Sequence, residues 1–99
     1  MKIIERAIMP DGTKIQINDW SEDFSCYAPN SEIAAYPLNR YGENVRVRRH
    51  FDSEEETISA FQQLITGEKS LVDLSFTTMK AGQDIPWHPG MDTKWWLHM

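Results

Sequence analysis

Two alternating runs open the chain. From Lys2 to Met9 the residues alternate with Ile4 and Ile8 on one face and Glu5 sharing the other with Ile3 and Ala7, and the run stops at Pro10-Asp11-Gly12. Proline presets one turn dihedral and glycine accepts a positive φ, so a reversal is expected there. Alternation resumes from Thr13 to Asn18, with Ile15 and Ile17 on one side. The pattern predicts an N-terminal β-hairpin.

Asp19-Trp20-Ser21-Glu22-Asp23-Phe24 is acidic and short and reads as loop, and Ala28-Pro29-Asn30-Ser31 reads as turn. Ile33-Ala34-Ala35-Tyr36 precedes Pro37, whose ring favours an extended residue before it, and is expected to be a short strand. Turn material follows from Asn39 to Asn44. Val45-Arg46-Val47-Arg48 then alternates cleanly, with valines inward and arginines outward, as in a half-solvated antiparallel strand.

The period changes after residue 52. Ile58, Phe61, Leu64 and Ile65 recur at helical spacing, while Glu54, Glu55, Glu56, Gln62 and Gln63 fall mostly elsewhere. Ser53 with Glu56 three residues later has the form of a capping box, the acidic first turn suits the positive end of the helix dipole, and Gly67 can close the helix. An amphipathic helix from Ser53 to Thr66 is predicted. Ser70-Leu71-Val72-Asp73-Leu74 repeats a weaker cap signal and is read as a short second helix, with a strand through Phe76 as the competing reading. The prolines and glycines of residues 81–90 predict a loop, and Trp95-Trp96-Leu97 closes the sequence. Residues 1–99 are therefore expected to form a single α+β domain: a small antiparallel sheet of about four or five strands with one amphipathic helix on one face.

Composition narrows the classes of function. The chain has 99 residues, 40% hydrophobic and 25% charged, within the range of an ordinary folding domain. A single cysteine, Cys26, rules out an internal disulfide, and with Lys2, Glu5 and Arg6 breaking the first apolar stretch the expectation is a cytoplasmic protein without a signal peptide. No apolar run reaches the roughly 20 residues that cross a bilayer, so no membrane role is expected. Net charge is −5. Residues 1–51 hold seven basic and seven acidic side chains and residues 52–99 hold three and eight, so the acidity belongs to the second half.

Catalytic and metal motifs are missing. His50, His88, His98 and Cys26 show no ligand spacing, Cys26 has no sequence partner that marks a nucleophile, and no phosphate-cradling or serine-hydrolase motif occurs. Neither a cofactor nor an enzyme is expected, although a site assembled from scattered residues would leave no trace in sequence. Three clusters remain. Asp52, Glu54, Glu55 and Glu56 could join Asp19, Glu22 and Asp23 in an acidic patch able to meet a basic protein surface, against the plainer role of serving the helix dipole. Trp20, Trp87, Trp95 and Trp96 are many tryptophans for this length; adjacent Trp95 and Trp96 would face opposite ways in a strand, leaving one for a partner or a homodimer contact. Arg46, Arg48 and Arg49 could follow a phosphate backbone, against the plainer role of a solvated strand face.

The segment Arg6-Ala7-Ile8-Met9-Pro10-Asp11-Gly12-Thr13-Lys14-Ile15-Gln16-Ile17, followed by Asp19-Trp20-Ser21-Glu22-Asp23, is similar to the starts of small uncharacterised proteins of Gram-positive bacteria and their phages or mobile elements. Such small acidic proteins resemble, in size and charge only, inhibitors of host defence such as anti-CRISPR proteins. The expected function is a non-enzymatic acidic protein-binding module, in the form of an inhibitor of a host nucleic-acid-binding or defence protein. The alternatives are a nucleic-acid-binding module using the arginine strand, or an enzyme whose site is not visible in sequence.

Overall fold

The structure, a computed structural model, describes residues 2–19, 31–80 and 83–91. Six strands and one helix follow in the order β1 (Lys2–Ile8), β2 (Lys14–Asp19), β3 (Ser31–Tyr36), β4 (Val47–Phe51), α1 (Glu54–Thr66), β5 (Thr77–Lys80) and β6 (Gln83–Pro86). They make one antiparallel sheet in the order β1-β2-β3-β4-β5-β6. The α+β architecture is as expected, with slightly more strands than the sequence pattern indicates.

The first hairpin closes as the sequence predicts. The Met9 carbonyl accepts from the Gly12 amide at 2.9 Å, the Asp11 carboxylate accepts from the Thr13 amide at 2.9 Å, and Gly12 holds φ +92°. Its hydrophobic assignment differs at β1, because a bulge between Ile3 and Glu5 shifts the register. Ile4 and Ile8 are exposed, and Ala7 packs against the core instead. In the β3–β4 turn, the Asn39 side-chain oxygen accepts from the amides of Tyr41 and Glu43 at 2.8 and 3.0 Å. Ser31, expected in a turn, begins β3, and β4 runs two residues later than Val45 and continues to Phe51.

Ser53 caps α1 by accepting from the Glu56 amide at 3.1 Å, and Gly67 ends it at φ +80°. The helix is rotated from the expected stripe. Thr57, Ala60, Phe61 and Leu64 are buried, Ile65 packs at the margin, and Ile58 is exposed. Thr57 can turn inward because its hydroxyl is satisfied, donating to the Ser53 carbonyl at 2.9 Å and sharing a 2.8 Å bond with the Ser31 hydroxyl. One residue is about 100° of helix, so turning Thr57 inward swings Ile58 toward solvent.

Residues 70–76 do not form the short helix that their cap signal suggests. Ser70 and Asp73 exchange bonds, amide to carboxylate at 2.9 Å and amide to hydroxyl at 3.1 Å, but only one turn follows before Ser75 takes φ +58°. Leu71 and Phe76 are both buried, and sending Phe76 into the core requires an extended backbone leading into β5. The segment read as loop over residues 81–90 contains β6. That strand is short, exposed and ends on Pro86, features that suit an edge and hide a strand signal. The core joins Ile15, Ile17, Ile33, Val47 and Phe51 of the sheet to Phe61 and Leu64 of the helix, with Phe76, Trp87 and Met91 closing one end.

Candidate functional site

Cross-strand pairing assigns each side chain to a face, since directly opposed residues point the same way. On the helix side run the rows Asp19–Ser31–Phe51, Glu5–Ile17–Ile33–Arg49 and Ala7–Ile15–Ala35–Val47. On the other side run Ile3–Asn18–Glu32–His50, Arg6–Gln16–Ala34–Arg48 and Ile8–Lys14–Tyr36. The two faces carry opposite chemistry.

On the helix side, the ends of β1, β2 and β3 meet the start of α1 around a cleft of about 350 Å³. Its walls include Glu5, Asp19, Asp52 and Glu54, its apolar parts are Ile4, Ile17, Phe51 and Ile58, and the Ser31 and Thr57 hydroxyls also line it. Three of the acidic residues expected to cluster, Asp19, Asp52 and Glu54, are thus brought together across strand, loop and helix. Glu5 joins them unforeseen. Only the bulge, which puts both Ile4 and Glu5 along this cleft, reveals its place, and alternation alone gives no sign of it. Glu55 and Glu56 are exposed on the first helical turn but do not line the cleft. Glu22 and Asp23 lie outside the described residues.

The arginines do not form one patch. Arg46 and Arg48 point away from the helix, whereas Arg49 lies on the helix side, where it donates to the Leu74 carbonyl and stacks its guanidinium 4.9 Å from the Phe51 ring centroid. Arg48 stands 3.6 Å from Asp84. Arg46 donates to Glu32 Oε1 at 3.2 Å, reaching back along the face past Ala34. Strand alternation places Arg48 and Arg49 on opposite faces.

Glu32 organises the face away from the helix. It is fully buried, and its Oε1 also accepts from Asn18 Nδ2 at 3.0 Å, while Gln16 Nε2 donates to Asn18 Oδ1 at 2.8 Å. Its second oxygen makes no hydrogen bond among the described residues and lies 3.4 Å from His50 Nε2. A buried carboxylate needs such company, because desolvation opposes its charge and the nearby guanidinium offsets that cost.

Trp87, expected at a partner surface, is a core residue, and its buried indole N–H has no hydrogen-bond partner among the described residues. Trp20, Trp95 and Trp96 lie outside the described residues, as do Cys26 and His98. His88 is exposed, with Nδ1 3.0 Å from the Pro89 carbonyl oxygen. Among the described residues no group of three His, Cys, Asp or Glu side chains is placed to hold a metal ion, and no helix is long and apolar enough to cross a membrane. Asp73 is held below the usual carboxylate range by the Ser70 amide and hydroxyl, with Lys69 adding a smaller pull.

No family model matches the chain, and no curated protein or solved structure is similar enough to it to count as a relative.

Proposed function

We propose that this protein is a non-enzymatic binding module that holds a basic segment of another protein in the cleft between the sheet edge and the start of α1. The carrying observation is that Glu5, Asp19, Asp52 and Glu54, from three places in the chain, surround one cleft with an apolar lining. A lysine or arginine side chain has this same composition, an aliphatic stem and a charged head, so a mixed wall suits it better than a purely charged one. The four carboxylates supply attraction and on-rate, and the apolar contacts with Ile4 and Ile58 supply residence. The dispersal of Arg46, Arg48 and Arg49 supports this reading over one that relies on those three for a phosphate backbone. A module that covers the basic surface of a nucleic-acid-binding protein would act as its inhibitor.

The test uses a fluorescein-labelled peptide of alternating lysine and leucine and two variants of equal net charge. Glu5→Lys with Glu54→Lys alters the cleft, and Glu55→Lys with Glu68→Lys alters exposed carboxylates away from it. The cleft pair is expected to weaken binding about tenfold more than the control pair, a difference of about 1.4 kcal/mol. Equal weakening by both pairs would reduce the interaction to net charge and sink the proposal.

A further inference from the structure

We propose a second binding surface, on the face of the sheet away from the helix, that takes single-stranded nucleic acid, with Arg6 and Lys14 on phosphates and Tyr36 beneath a base. Arg6 and Lys14 are exposed on neighbouring strands, and neither has a carboxylate partner among the described residues. With Ile8, Gln16 and Tyr36 they line an open depression of about 600 Å³. The cross-strand row Ile8–Lys14–Tyr36 sets an aliphatic surface, a cation and an aromatic ring side by side.

Positive charge continues along this face. Arg46 and Arg48 are paired with Glu32 and Asp84, yet their side chains remain 43% and 36% exposed. From Arg6 on β1 to Arg48 on β4 is three strand spacings, about 14 Å, with Gln16 and Ala34 between them in the same row. Among the described residues, the only exposed carboxylate placed on this face by strand pairing is Asp84. The acidic cleft lies on the opposite side of the sheet, and its field is damped by salt over about 10 Å at 0.1 M.

Charge selects an anion, and the ring selects a base-bearing one. Unpartnered cations beside an aromatic side chain on an open sheet are what an unpaired strand needs, because its bases are free to stack and its phosphates follow the groove. A free nucleotide would be poorly held, since small ligands require enclosure on most sides and this depression is open. A duplex keeps its bases stacked inside, out of reach of Tyr36.

The experiment is fluorescence anisotropy with a labelled mixed-sequence single-stranded oligonucleotide at 20 and 200 mM salt. Two phosphate contacts predict a slope near −1.4 in log affinity against log salt, so affinity falls about 25-fold between these concentrations. Arg6→Gln with Lys14→Gln is expected to flatten that dependence and abolish most of the binding at 20 mM, whereas Lys69→Gln, which removes an exposed cation elsewhere, leaves both intact. Tyr36→Leu is expected to weaken binding about tenfold at both salt concentrations, as loss of a stacking partner does. Absence of binding at 20 mM, binding that Arg6→Gln with Lys14→Gln leaves unchanged, or equal competition by polyglutamate would overturn the proposal. None of these outcomes bears on the acidic cleft.

Discussion

The two faces of this sheet are cut from the same strands and held by different physics. Toward α1, Ile15, Ile17, Ile33 and Val47 meet Phe61 and Leu64 in a dry layer that needs no polar pairing. Away from it, Asn18 and Glu32 are equally buried, yet these groups are polar and are satisfied through Gln16, Asn18, Arg46 and His50. One face is stabilised by area removed from water, roughly proportionally. The other rests on a network in which each partner answers for another's desolvation, so its parts are not independent. Charge follows the same division, with carboxylates rimming the helix side and, on the other, Arg6 and Lys14, which have no carboxylate partner among the described residues.

The comparison is broken most forcefully from the dry side. Phe61→Ala removes a buried ring from the helix–sheet contact and is expected to cost about 3–5 kcal/mol, read by urea unfolding, a loss that added salt does not repair. Glu32→Ala attacks the other side. Arg46 and His50 are part-exposed and can return to water, so the expected loss is smaller, about 2 kcal/mol, mostly from Asn18 left with an unmade bond. If Glu32→Ala proved as costly as Phe61→Ala, the network would be the true core.

Smaller changes sharpen the picture at the margins. Gly67 ends α1 in the left-handed region, and an added Cβ would sit 3.3 Å from Pro10 Cγ, so Gly67→Ala is expected to lose about 1–2 kcal/mol in thermal unfolding. Trp87→Phe deletes an indole N–H that has no partner among the described residues while keeping an aromatic ring. It is expected to leave stability within about 1 kcal/mol of the parent, because lost area and a relieved unpaired donor oppose each other.

The smallest effect is a pH dependence confined to residues 70–76. Asp73 titrates lower in the folded chain than in the unfolded one, so its contribution is present above the unfolded value and is lost as pH falls through the folded one. Amide exchange of Ser70 should therefore speed up only in acid, below the ordinary carboxylate range. Asp73→Asn should abolish that pH step.

Much of this fold is legible in the sequence because several local signals agree. The N-terminal hairpin has alternation on both sides of Pro10-Asp11-Gly12, and α1 has a capping box, a helical period and a terminal glycine. What escaped is long-range. The bulge that exposes Ile4 and admits Glu5 to the cleft is a matter of register with β2, and the inward turn of Thr57 depends on Ser31, 26 residues away. Residues 70–76 carry a real cap, overruled by the burial of Phe76, and β6 hides behind the proline and charge that protect an edge. The acidic cleft is legible in three of its four carboxylates, Asp19, Asp52 and Glu54; the cations Arg6 and Lys14 look unremarkable until the fold puts them around one depression with Tyr36.

The proposed division of the molecule into two oppositely charged binding faces is tested most directly by amide chemical shifts in ¹H–¹⁵N spectra, titrated separately with the lysine–leucine peptide and the single-stranded oligonucleotide. The peptide is expected to move the amides of Glu5, Asp19 and residues 52–57, and the oligonucleotide those of Arg6, Lys14, Gln16 and Tyr36. If both ligands moved the same amides, or the two sets were exchanged, the assignment of a ligand to each face would be wrong.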